Sequence, residues 1–160
     1  MDAQTVDLVK RTAQASLRYS VIAGVALLII NLLSKIPVIG FGFSCLYFFG
    51  ILGAAFGIGY LVAPKMTNLP FGQSKAMLAL WLGVGIALPF AAALVVVDQV
   101  GTLYDLFAYN YSLIGKIFTV LGSIFRGLVG GILIGTALAW LGSFFSLDRN
   151  PNVRTAERPF

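Results

Sequence analysis

The chain has 160 residues, of which 59% are hydrophobic and only 11% charged, with a net charge of +5 and no histidine. A soluble domain carries about 25% charged residues, and this composition folded in water would expose apolar patches that soluble monomers avoid. The length suits one compact domain, and the composition predicts an all-α integral membrane protein: a bundle of four transmembrane helices.

The missing residue types narrow the chemistry. Without histidine there is no Ser-His or Cys-His catalytic pair, no usual haem ligand and no common zinc ligand. The single cysteine, Cys45, lies in an apolar run and reads as a small hydrophobe. No HExxH, GxSxG or P-loop motif occurs. The sequence therefore predicts no enzyme, no cofactor and no metal. The bases stand in short segments between apolar runs, so their expected partners are anionic lipid headgroups rather than nucleic acid.

Residues 1–18 form an expected amphipathic lead-in. Val6, Val9, Ala13 and Leu17 fall at helical intervals, with Lys10, Arg11 and Arg18 between them. This stretch is expected to lie on the membrane surface or to extend the first helix into the cytoplasm. The first apolar run starts only near Tyr19, too late for a cleavable signal sequence, and is expected to be retained.

Four spans are expected, at about 19–36, 41–63, 76–97 and 127–147. Pro37, Gly40 and Gly42 turn the first hairpin, and Pro64, Asn68, Pro70 and Gly72 separate spans two and three. The third connection, Asp98 to Lys116, is rich in aromatics (Tyr104, Phe107, Tyr109, Tyr111) and reads as an interfacial helix or cap. Residues 148–160 read as a polar, extended cytoplasmic tail.

Counting bases by side orients the bundle. With both termini inside, Lys10, Arg11, Arg18, Lys65, Lys75, Arg149, Arg154 and Arg158 are cytoplasmic, against Lys35, Lys116 and Arg126 outside. Eight against three predicts N-in, C-in. The bacterial inner membrane is the default location when no targeting signal is read.

Glycine carries the strongest pattern. Gly127, Gly131 and Gly135 recur every four residues in span four, Gly53 and Gly57 do so in span two, and Gly83 lies in span three. In lipid, small residues at this spacing let helix backbones approach, so these positions are the expected packing faces, inside the bundle or against another subunit. Asp98 and Arg126 end spans three and four on one side and form the expected interfacial charge pair, with Arg126 snorkelling from the start of a span at Gly127. Pro89 predicts a kink in span three. Asn31 is the strongly polar residue of span one and is expected to hydrogen-bond across helices.

No acidic residue falls in mid-span, where proton-coupled transporters need one. The functional expectation is a structural or accessory subunit of a larger membrane complex, partnered by lipids and by other integral subunits or copies of itself. The alternative is a small oligomeric transporter or channel.

Overall fold

A computed structural model describes residues 3–37, 39–70, 72–108 and 112–156. Its long elements are α1 (Ala3–Leu33), α2 (Gly40–Val62), α3 (Lys75–Ala108) and α4 (Leu113–Ser146), followed by the short α5 (Pro151–Ala156). Single 3-10 turns, Ala63–Lys65 and Leu147–Arg149, end α2 and α4. Among the described residues there is no strand. Four helices are long and apolar enough to cross a membrane.

Local chemistry sets the helix ends. α1 stops at a turn before Pro37, and Gly40 follows where a Cβ would strike the Ser34 carbonyl, so this hairpin closes only around glycine. Pro64 sits in the 3-10 turn after α2, and the loop beyond it turns through Asn68 and Gly72, both at positive φ. The Ser74 hydroxyl accepts from Met77 N at 3.3 Å and Ser112 accepts from Gly115 N at 3.2 Å, capping α3 and α4.

The four main interfaces are α3–α4, α1–α3, α2–α4 and α1–α2, so the helices run α1, α3, α4, α2 around the bundle. α3 is the central helix: half of its most apolar stretch is buried, against 17–22% for the other three. Leu82, Ile86 and Phe90 of α3 are fully enclosed.

The other helices keep their large apolar side chains outside. Val21, Ile22, Val25 and Ile29 of α1 and Phe118, Phe125 and Leu133 of α4 are exposed, while Thr12, Ser16 and Ser20 of α1 and Ser143 of α4 are buried. Water would reverse this distribution. Lipid favours it, because small side chains let backbones close up while large apolar ones face the chains.

Three expected boundaries shift. Of the two expectations for the lead-in, the helix fits the second: residues from Ala3 onward extend the first span as one continuous helix. Its inward face is Thr5, Leu8, Thr12, Ser16, Ser20 and Gly24, while Val6 and Leu17 of the expected apolar face are exposed. Of the helix or cap expected in the third connection, the described residues form helix, as parts of the long elements: α3 continues to Ala108 and α4 begins at Leu113, with Tyr109 and Tyr111 outside the described residues. The segment after Asp148 is not extended, because α5 forms, with its Val153 and the preceding Asn150 buried. Residues 157–160 lie outside the described set.

Candidate functional site: a charged crevice between the four long helices

At the end of the bundle where α1 turns into α2, a crevice of about 390 Å³ opens between α1, α2, α3 and α4. Its floor is made of glycine. Gly101 of α3 and Gly127, Gly130 and Gly131 of α4 border it, and its charged walls are Lys35, Asp98, Asp105 and Arg126.

Two carboxylates on α3 organise the charges. Asp98 and Asp105 stand seven positions apart and share a helical face. Lys35 Nζ donates to both oxygens of Asp105, at 2.7 and 2.8 Å, tying the end of α1 to α3. The Tyr47 hydroxyl of α2 donates to Asp98 at 3.0 Å. Arg126 Nε lies 3.9 Å from the other oxygen of Asp98, and its side chain is 75% exposed against 17% for Asp98. The expected partners are therefore neighbours, but Tyr47 holds Asp98 more closely than Arg126 does. Arg126 sits well inside a continuous α4 rather than before its first residue, and it reaches the surface through its long side chain.

Asn31 lies at the inner edge of the crevice. Its amide donates to the Val97 carbonyl at 3.4 Å, and a Cβ on Gly101 would come within 2.9 Å of that amide nitrogen. Asn31 thus docks α1 on α3 through a notch that only glycine provides. Nearby, Gln99 donates to Ser123 at 2.6 Å, joining α3 to α4.

The expected glycine faces divide. A Cβ on Gly131 would lie 2.8 Å from Ala91, one on Gly127 3.1 Å from Val95, and one on Gly135 3.3 Å from Phe90, so this row seats α4 on α3. Gly83 faces the α4 backbone at Thr136, 2.8 Å away. Of the two uses expected for Gly53 and Gly57, packing inside the bundle is not found: nothing lies within 4 Å of where their Cβ atoms would be, so they face outward. The α2–α4 contact runs instead through Gly59 and Gly142, whose Cβ directions meet the carbonyls of Ala139 and Phe56. Spacing alone does not separate Gly53–Gly57 from Gly59, because it does not say which turn meets a neighbour.

Pro89 lies inside α3. Lacking an N–H, it leaves the Gly85 carbonyl without its helical donor. Gly85 itself is crowded by α1, where its Cβ would lie 2.8 Å from Thr12.

A second ion pair marks the far end of α3–α4: Lys75 Nζ to Asp148 at 2.7 Å. Asp98 lies 23 positions beyond Lys75, and Asp148 lies 22 beyond Arg126. At ~1.5 Å per residue the two pairs are about 33–35 Å apart, close to the ~30 Å of a hydrocarbon core.

Sequence reading missed the Lys35–Asp105 and Tyr47–Asp98 contacts. The available signal was the small number of charges on that side, two acids among three bases. Among the described residues no group of three His, Cys, Asp or Glu side chains is placed to hold a metal ion. Each crevice carboxylate already faces a cation, so the set is close to charge-neutral.

The fold and the crevice together define an α-helical bundle with four helices of membrane-crossing length. No family model, curated protein or solved structure matches the chain.

Proposed function

We propose that this chain is a structural subunit of a larger membrane complex, acting through helix packing and assembly rather than through chemistry of its own. The observation that supports this reading is the open notch at Gly53 and Gly57. These glycines are one turn apart on the outside of α2, among the exposed rings of Phe49 and Phe56. Small residues on an outward helix face, flanked by large apolar ones, suit a partner helix in lipid. The glycine row of α4 is already used within the bundle, so it does not compete for that role.

The reading places both termini in the cytoplasm of a bacterial cell, with the bundle in the inner membrane. Supporting the orientation, the bases of one end meet one another's segments. Arg11 donates to the carbonyls of Thr67 and Asn68, and Lys65 donates to Tyr19 beside Arg18. Lys35 and Arg126 lie at the opposite end with Asp105 and Asp98.

The test is gentle solubilisation followed by native mass measurement. Wild type is expected in an assembly larger than the chain alone. Gly53→Leu/Gly57→Leu is expected to fold and to fall out of that assembly. An unchanged assembly in the double variant counts against the proposal.

One observation favours a second reading, a small oligomeric transporter or channel: the crevice gathers polar groups where all four long helices meet. A homogeneous small oligomer that passes ions or polar solutes across liposome membranes would support it and overturn the assembly reading.

A further inference from the structure

The end of the bundle opposite the crevice contains a second cavity, about 710 Å³, along α1 beside the end of α2. It combines an apolar side with a cationic one. One side is apolar, formed by Leu17, Val21 and Ile22 of α1 with Val62, the last residue of α2, and Met66 beyond it. The other is cationic, formed by Arg18 and Lys65.

These two bases differ from two others at the same end. Arg11 is held by Asp7, and Lys75 is held by Asp148. Among the described residues neither Arg18 nor Lys65 has a carboxylate partner. Both donate to one atom: Arg18 Nη2 lies 2.8 Å and Lys65 Nζ 2.9 Å from the Tyr19 hydroxyl oxygen. Two positive groups bound to one oxygen stand no more than 5.7 Å apart, the sum of those distances. Both also lie over the Tyr19 ring, 4.7 and 5.4 Å from its centroid. Ring and hydroxyl offset part of their mutual repulsion, whereas an anion bridging them would offset it more fully.

We propose that this cavity binds one anionic phospholipid, its phosphate bridging Arg18 and Lys65 and an acyl chain lying along Leu17, Val21 and Ile22. Charge complementarity selects this occupant. A free phosphate has no use for the apolar wall, and an apolar partner helix has no use for two cations. A zwitterionic lipid brings its own cation and leaves the pair's charge unmet. Val21 and Ile22 are 55% and 66% exposed, open enough for a chain to lie on them. The site lies at the end where the bases outnumber the acids, which suits the anionic leaflet. The inference rests on the membrane reading but not on a partner subunit.

The experiment uses the purified full chain in detergent and native mass spectrometry with phosphatidylglycerol, phosphatidylcholine and inorganic phosphate as separate probes. Wild type is expected to retain one phosphatidylglycerol at least tenfold better than phosphatidylcholine. Arg18→Gln/Lys65→Gln is expected to lower that preference at least fivefold. Lys10→Gln/Arg149→Gln removes the same charge elsewhere and is expected to preserve it. Arg18→Gln alone, at an exposed position, supplies the reading if the double variant does not fold, with an expected loss of at least twofold.

Equal losses in the two double variants would overturn the proposal in favour of unspecific charge attraction. So would displacement of the lipid by millimolar inorganic phosphate, or the absence of any preference between the two lipids. Because the measurement is made on the isolated chain, its failure leaves the assembly reading untouched, and loss of a partner subunit does not alter its result.

Discussion

Gly59 of α2 lies directly against the carbonyl of Ala139 in α4, with no room for a side chain between the two backbones. Gly142 of α4 meets the Phe56 carbonyl of α2 in the same way, and Ser143 donates to the Gly59 carbonyl at 3.5 Å. The crossing is therefore a backbone contact. Gly59→Ala should push the helices apart and cost about 1–3 kcal/mol, in the range of overpacking. Thermal unfolding in detergent, followed by circular dichroism, checks this. An unchanged midpoint would mean that the two helices slide past one another freely.

Gly131 and Gly53, each one of a series of glycines four residues apart, should respond in opposite senses. A Cβ on Gly131 meets Ala91 at 2.8 Å, so Gly131→Ala is expected to destabilise by about 1–3 kcal/mol. Gly53 faces open space, so Gly53→Ala should gain up to ~1 kcal/mol of helix propensity. Melting both variants in one detergent gives the comparison. Destabilisation by Gly53→Ala in the isolated chain would contradict an outward-facing Gly53.

These contrasts show what could be read from the sequence. The four apolar stretches and the breakers between them are legible, because Pro37 and Pro64 lack donors and Gly40 and Gly72 fit turns that other residues do not. The ends of α3 and α4 are not, because Tyr104 and Phe107 suit a boundary cap and an exposed helical turn equally well. The inward face of α1 is not legible, for a physical reason. Apolar periodicity finds Val6 and Leu17, as it should in water, but in this bundle the buried row is small and polar, Thr12, Ser16 and Ser20. For the crevice, Asp98, Arg126 and Asn31 are legible as rare polar groups in apolar surroundings. Tyr47 is not, since nothing in its local sequence points to a carboxylate two helices away.

The charges around Asp98 should be unequal in effect. Tyr47 makes a 3.0 Å hydrogen bond to Asp98, whereas Arg126 is 3.9 Å away and three-quarters exposed. Asp98→Ala removes the acceptor of a half-buried hydroxyl and should cost about 1–3 kcal/mol. Arg126→Ala breaks a long, solvent-screened pair and should cost under ~1 kcal/mol. A double-mutant cycle should give larger coupling for Tyr47→Phe with Asp98→Ala than for Arg126→Ala with Asp98→Ala. The reverse order would make Arg126 the principal partner of Asp98.

The C-terminal segment is a structural lock on α2. Asn150 is fully buried, and its amide donates to the carbonyls of Ala63 and Met66, each at 2.8 Å. Each carbonyl has one longer bond besides: Ala63 O accepts from Met66 N in the 3-10 turn and Met66 O from the Asn152 amide, both at 3.3 Å. Asn150 Oδ1 accepts from Asn152 N at 2.9 Å, so one side chain also fixes the start of α5. Asn150→Ala would remove the shorter donor from both carbonyls and leave its site in the buried core empty, and it is expected to cost about 1–3 kcal/mol. Asn150→Asp keeps the shape and the bond to Asn152 but replaces the donor with an acceptor facing two carbonyls, so it should be at least as damaging. Hydrogen exchange should rise first in residues 63–69, ahead of global unfolding. A variant as stable as wild type, with unchanged exchange there, would show that α2 ends securely without the segment.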